Sequence, residues 1–116
     1  MIDGDQGIRN SLYMLFGTLG IRAATFSTAE EFLDRLGGES PSVLITELVL
    51  PGMGGFELKE ALDQEGNPLP VIGLTSESDE QEREEASRLG FLELVEKPFI
   101  YWPVVERVHQ TLKVPC

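Results

Sequence analysis

Short apolar runs alternate with amphipathic stretches along the chain, and this alternation constrains the fold more than any other feature of the sequence. The apolar runs are bounded by turn residues and predict strands, whereas the stretches between them carry apolar residues at helical spacing. Strands joined by helical crossovers form a parallel sheet that is covered on both faces. We therefore expect a single α/β domain over residues 1–116, a doubly wound three-layer sandwich of five strands and five helices. The predicted strands lie at residues 1–2, 21–26, 43–46, 71–74 and 92–95.

Local signals predict where the helices begin. Ser27 with Glu30, and Ser78 with Gln81, have the spacing of a capping box, so we expect both serines to be N-cap residues. Pro103 fits the first position of the last helix, where the missing N–H of proline costs nothing.

The charge balance excludes several classes of function. The chain has 9 Lys and Arg against 20 Asp and Glu, a formal net charge of −11, so it lacks the basic surface that nucleic acids or anionic membranes need. Cys116 is the single cysteine and His109 the single histidine, which excludes internal disulfides and a multi-histidine metal site. The uncharged stretch at residues 11–21 is too short to span a bilayer, and we expect a cytoplasmic protein.

Polar side chains follow the predicted strands at the points where the strands end. They are Asp3 and Asp5, Glu47, Thr75, and Lys97. Because ligands of such folds bind at the carboxyl ends of the strands, we expect these groups to converge on one edge. Carboxylate oxygens suit Mg²⁺, and a lysine with a threonine hydroxyl suits a phosphoryl group.

Four motifs in this order resemble the receiver domain of two-component response regulators. They are the early acidic cluster, residues 47–55 (ELVLPGMGG), residues 73–76 (GLTS) and residues 96–99 (EKPF). The resemblance implies a flavodoxin-like sheet of strand order 2-1-3-4-5. It also implies a signalling module rather than an enzyme, with a sensor histidine kinase or a regulatory or output domain as partner.

The resemblance identifies Glu47 as the equivalent of the phosphoacceptor aspartate, one methylene longer. Thr75 and Lys97 match the phosphate and switch site, but the aromatic switch residue is replaced by Leu94. Gly4 replaces one of two adjacent metal-binding acids. A degenerate receiver is therefore expected, one that signals by protein–protein contact with weak or no phosphorylation. The metal set that the resemblance implies is Asp3, Asp5, Glu47 and Val49, holding Mg²⁺ weakly or not at all.

Three further expectations concern surfaces and chain ends. Leu94, Tyr101 and Trp102 are candidate interface residues, with a homodimer through the last helices as one arrangement. The first strand is short for a central strand, so we expect residues upstream of Met1. No output domain lies within these residues.

Alternatives remain for the same residues. Asp3 and Asp5 also fit a turn with a helix N-cap, and Thr75 with Ser76 also fits a plain loop and cap. A working phosphoacceptor receiver, in which Asp5 binds the metal, is a second hypothesis, with a DNA-binding transcriptional regulator as the protein to which it would belong. A flavodoxin-like module that binds a small ligand is a third.

Overall fold

Three parallel strands form the regular part of the sheet in the computed structural model, which describes residues 1–36, 41–66, 69–76, 79–97 and 101–112, the last from residue 104 for side chains. The strands are β1 (Leu44–Glu47), β2 (Val71–Thr75) and β3 (Glu93–Glu96), in the order β1-β2-β3. Ile45 is in register with Ile72, and Gly73 with Leu94. The strands predicted at residues 43–46, 71–74 and 92–95 are confirmed to within a residue.

Two single-residue bridges extend this sheet. Ile2 pairs in parallel with both Thr46 and Phe26, so the five chain segments lie in the predicted order 2-1-3-4-5. The prediction of a regular strand over residues 21–26 is wrong, because only Phe26 within it makes a bridge. Its neighbour in the sheet offers one bridging residue, Ile2, and a ladder cannot extend beyond its partner.

Within the described part of the chain, five helices connect and cover the strands, as predicted. They are α1 (Gln6–Thr18), α2 (Ala29–Arg35), α3 (Gly55–Gln64), α4 (Glu80–Arg88) and α5 (Tyr101–Leu112). None of the helices within the described ranges is long and apolar enough to cross a membrane.

The start of α2 differs from its prediction. Thr28, and not Ser27, is the N-cap, since the Thr28 hydroxyl accepts a hydrogen bond from the Glu31 N–H at 3.1 Å. Ser27 instead donates its hydroxyl to the Glu31 carboxylate, at 3.1 Å from Oε2. The capping-box spacing is present one residue further along than predicted, because a threonine follows the serine and the chain is extended at Thr28.

The starts of α4 and α5 also differ from the predictions. Asp79 is the N-cap of α4, and its carboxylate accepts from the Glu82 N–H at 2.8 Å. Ser78, the predicted cap, lies outside the described residues. α5 begins at Tyr101, so Pro103 is in its first turn but is not its first residue. A proline is tolerated there because N–H groups of a first turn have no acceptor within the helix.

Apolar side chains on the two faces of the sheet form two cores, which makes the fold a three-layer sandwich. Successive strand residues point to opposite faces, so Leu44 and Val71 join one core while Ile45 and Ile72 join the other. The first core also contains Ala29 and Phe32 of α2 and Leu58 and Leu62 of α3; the second contains Leu12 and Phe16 of α1 and Val104, Val105 and Val108 of α5. The carboxyl edge of the sheet between the layers is left for polar groups.

Candidate functional site

An ion cluster of Asp3, Glu47 and Lys97 lies at the carboxyl edge of the sheet. Lys97 Nζ lies 2.6 Å from Glu47 Oε2 and 2.8 Å from Asp3 Oδ2. Asp3 is fully buried, whereas the side chains of Lys97 and Glu47 are 14% and 19% exposed. The convergence that the sequence predicts for these three residues is therefore confirmed in space.

Backbone hydrogen bonds hold the three residues in place. Glu47 N–H donates to Ile2 O at 2.9 Å, Lys97 N–H donates to Thr75 O at 2.7 Å, and Asp3 N–H donates to Phe26 O at 3.1 Å. Each residue of the cluster is therefore fixed by a hydrogen bond to the backbone of a neighbouring chain segment. Such preorganisation strengthens the electrostatic contacts that the side chains make.

Burial and ion pairing shift the pKa values of two of these groups. Burial raises the pKa of the Asp3 carboxyl, and this effect outweighs the opposing influence of the Lys97 ammonium. Burial alone would lower the pKa of Lys97, but its hydrogen bonds to Asp3 and Glu47 prevail and raise it. The lysine is therefore held in its charged form by two carboxylates.

The segment after Asp3 caps α1 and closes over the cluster. Gly4 N–H donates to Glu47 Oε1 at 3.1 Å, and Asp5 N–H donates to Asp3 Oδ1 at 2.8 Å. Asp5 is the N-cap of α1, and its carboxylate accepts from the Ile8 N–H at 3.2 Å. Asp5 thus takes the capping role that was the alternative to metal binding.

Thr75 lies at the end of β2, and its hydroxyl points to α4. It donates to Glu82 Oε1 at 2.9 Å. An open cleft of about 160 Å³ separates this pair from the ion cluster, and it is lined by Glu47, Val49, Thr75, Ser76 and Glu82. Val49 is 77% exposed at the rim of the cleft.

The family model of the response regulator receiver domain matches residues 1–109. This chain is a receiver domain. FixJ, a transcriptional regulatory protein of Bradyrhizobium diazoefficiens, is 33% identical over 99 residues, which are 85% of this chain and 48% of FixJ. The DNA-binding transcriptional regulator NtrC of Klebsiella pneumoniae is also 33% identical over 99 residues, which are 21% of its length. The chain thus spans about half or less of these relatives.

Solved receiver domains have the same fold. The BeF3-activated receiver domain of DrrB is 27% identical, with a TM-score of 0.86 over 97% of this chain and 94% of that one. The structure of FixJ-N is 27% identical, with a TM-score of 0.83 over 99% of this chain and 92% of that one. Together with the strand order, these likenesses confirm the flavodoxin-like architecture.

Receiver domains generally bind Mg²⁺ at the phosphorylation site, but the donors described in this receiver domain do not fit the ion. Both oxygens of Asp3 and both oxygens of Glu47 already contact an N–H group or the Lys97 ammonium. No group of three or more metal-binding side chains occurs among the residues with described positions. A hard cation needs oxygens that are not committed to an ammonium, so Asp3 and Glu47 would have to give up their contacts with Lys97 to hold Mg²⁺.

The structure describes the side chain of one of the three predicted interface residues, Leu94. Leu94 on β3 is half-buried, and a Cβ on Gly73 would lie 3.0 Å from Leu94 Cδ1. Leu94 therefore packs over the neighbouring strand. Tyr101 and Trp102 lie in the first turn of α5; their side chains are outside the described part of the structure, so their interface role stays a prediction.

Sequence reasoning missed the contacts of three residues around the site. Arg9 Nη1 donates to Asp3 O at 2.5 Å, Glu82 accepts from Thr75, and Glu30 Oε2 accepts from the Met53 N–H at 2.9 Å in the loop after β1. The spacing of Asp79 and Glu82 was the one available signal, because it repeats the capping-box pattern one residue after Ser78. Nothing in the local sequence points to the partners of Arg9 or Glu30.

Proposed function

We infer that this receiver domain signals through protein–protein contacts, with weak or no phosphorylation at Glu47. The observation that carries the proposal is the 2.6 Å contact between Lys97 Nζ and Glu47 Oε2. The family resemblance puts the phosphoacceptor aspartate at this position, and the extra methylene of glutamate carries the carboxylate further towards the lysine. The fixed negative charge of Glu47 then occupies the place of an incoming phosphoryl group.

The hydrogen bonds of Glu47 support this proposal. A carboxylate attacks phosphorus through one oxygen, which must be free and in line with the leaving group. In this site Oε1 accepts from the Gly4 N–H at 3.1 Å, and Oε2 is paired with Lys97. An attack by either oxygen would have to compete with one of these contacts, and a displacement of about 1 Å is enough to slow such a transfer by about 100-fold.

The ion pair also supplies a reason for signalling without phosphate. A charge shifts an equilibrium between two conformations only when it interacts differently with them. The pair between Glu47 and Lys97 joins the ends of β1 and β3, and it therefore favours whichever state keeps those ends together. That state is either active-like or resting, and partner binding distinguishes the two.

Partners follow from the family and from the charge. The curated relatives named above are transcriptional regulators, and we propose a similar regulatory role in the cytoplasm for the protein to which this domain belongs. A sensor histidine kinase or an output domain is then the partner, with a homodimer through the last helices as a further arrangement. The net charge of −11 argues against direct contact of this domain with DNA or membranes.

Two other functions remain as competitors. A working phosphoacceptor receiver would use Asp5 as a metal ligand, but the Asp5 carboxylate caps α1. A flavodoxin-like ligand-binding module would use the same edge without phosphoryl chemistry, and its ligand would raise the melting temperature in a thermal-shift screen. The first competitor is the stronger, because it agrees with the family.

The deciding experiment restores the two missing features of the acceptor site. The wild type, Gly4→Asp, Glu47→Asp and the double variant are incubated with Mg²⁺ and a small acyl phosphate, and covalent phosphate is measured by intact mass. A Cβ on Gly4 would lie 3.7 Å from its nearest neighbour, Glu47 Oε1, so the aspartate fits. We expect phosphate on the double variant and none on the wild type. Stoichiometric acid-labile phosphate on Glu47 of the wild type would sink the proposal.

A further inference from the structure

The cleft beside the ion cluster contains a carboxylate that the acceptor site does not use. Glu82 lines the cleft together with Glu47, Val49, Thr75 and Ser76. Two hydroxyl groups and an adjacent lysine would suit a tetrahedral oxyanion. A second glutamate facing the same space works against such a ligand.

The position of Glu82 is fixed from two sides. Its N–H donates to Asp79 Oδ1 at 2.8 Å at the start of α4. Its Oε1 accepts from the buried Thr75 hydroxyl at 2.9 Å. Because the acceptor is a carboxylate, this hydrogen bond is of the stronger, charge-assisted kind. The Thr75 hydroxyl is therefore directed to α4 and engaged by Glu82.

The charges around the cleft also disfavour an anion. Lys97 is the cation of the ion cluster, and it is already paired with Asp3 and Glu47. Glu82 adds a further acid on the opposite side of the cleft. A phosphoryl group placed there would meet a like charge at short range.

We propose that Glu82 is a specificity-determining residue that keeps phosphate-like oxyanions out of this cleft, by engaging the Thr75 hydroxyl and by adding negative charge. The inference rests on the proposed function, because it explains why this receiver domain works without a phosphoryl group. The Glu82 carboxylate acts independently of the extra methylene of Glu47, so each of these two features disfavours the anion by itself.

The test is a titration of the full chain with inorganic phosphate at constant ionic strength, followed through the amide NMR shifts of Thr75 and Ser76. Glu82→Gln keeps the size and the acceptor oxygen but removes the charge, whereas Glu82→Ala removes both. Glu84→Gln is the matched control, since Glu84 is an exposed acid on α4 that does not line the cleft. We expect both Glu82 variants to bind phosphate at least about tenfold more tightly than the wild type and the control.

Equal affinity of the wild type and both Glu82 variants, or no binding by any of them, overturns the inference. A gain in phosphate affinity in Glu84→Gln as large as that in Glu82→Gln overturns the inference as well. If Glu82→Gln does not fold, the Glu82→Ala titration decides alone. This assay contains no phosphodonor, so it cannot be confused with the mass measurement on Glu47. Covalent phosphate on wild-type Glu47 defeats the proposed function, whereas unchanged phosphate affinity defeats only the role of Glu82.

Discussion

Lys97 and Glu47 are separated by 50 positions in the sequence, yet Lys97 Nζ lies 2.6 Å from Glu47 Oε2. The contact joins the end of β3 to the end of β1 across the intervening strand β2. The same ammonium neutralises Asp3, which is fully buried. Lys97 therefore stabilises two acids at once, and its removal is the most informative change.

Lys97→Met is expected to destabilise the fold by about 2 kcal/mol, because it leaves Asp3 buried without its counter-charge. Urea unfolding measures the change. Lys59→Met is the matched control, since Lys59 is also buried and paired, at 2.7 Å from Asp63 Oδ1. The Asp63 side chain is 41% exposed, so water solvates it when its lysine is lost. A loss in Lys97→Met no larger than in the control would contradict this account of the ion cluster.

The same variant changes the pH dependence of stability. The pKa of Asp3 is raised above the unfolded value of 3.8, so the folded state holds a proton that the unfolded chain releases as the pH rises above that value. Stability is therefore lost as the pH rises through the folded pKa of Asp3. Without Lys97 that pKa rises further. Unfolding curves of Lys97→Met between about pH 4 and about pH 7 should show a steeper loss than those of the wild type. If the stabilities of the wild type and Lys97→Met fall in parallel with pH, Lys97 does not control the pKa of Asp3.

Asp5→Ala is expected to destabilise α1 by about 1 kcal/mol, whereas Asp5→Asn should stay within a few tenths of wild type, because asparagine caps helices nearly as well. Both variants are unfolded in urea with and without MgCl₂. If Asp5 only caps α1, we expect MgCl₂ to change the free energy of unfolding of the wild type and of both variants by the same small amount. A Mg²⁺-dependent stabilisation of the wild type that Asp5→Asn abolishes would instead favour the working receiver.

Thr28→Ala is expected to lower the free energy of unfolding by about 1 kcal/mol, since it removes the side chain that caps the Glu31 N–H. Ser27→Ala should have a smaller effect, because it removes only a hydrogen bond between side chains near the surface. Thermal unfolding of the two variants compares them directly. A larger loss of stability in Ser27→Ala than in Thr28→Ala would indicate that Ser27 is the N-cap.

Gly73→Ala is expected to destabilise the sheet by about 1–3 kcal/mol through overpacking. Its new Cβ would lie 3.0 Å from Leu94 Cδ1 and 3.1 Å from side-chain atoms of Leu48 and Phe91. Adding Leu94→Ala should recover part of this loss, which a double-mutant cycle measures. The control is Gly17→Ala in α1, where a Cβ would meet nothing within 4 Å and should stabilise by about 0.5–1 kcal/mol. Additive effects of Gly73→Ala and Leu94→Ala would contradict the contact.

The layers of the fold could be predicted from residue periodicity, whereas the local caps could not. Runs such as residues 71–74 are apolar throughout, which is typical of a strand buried on both faces. Two neighbouring residues, Ser27 and Thr28, both satisfy the chemistry of an N-cap. The choice between them depends on where the chain leaves the sheet after Phe26, and that is a property of the bridge to Ile2.

The candidate site, like the fold, could be predicted from the sequence only in part. Strand-end positions were enough to bring Asp3, Glu47 and Lys97 together, because parallel strands end at a common edge. The pattern left open whether Asp5 caps α1, and it did not indicate that Thr75 donates to Glu82. Those partners lie within a few ångströms only after the helices have packed, and hydrogen bonds depend on differences of less than 1 Å. Periodicity therefore determines the layers and the site's edge, and side-chain packing determines which acids remain available for chemistry.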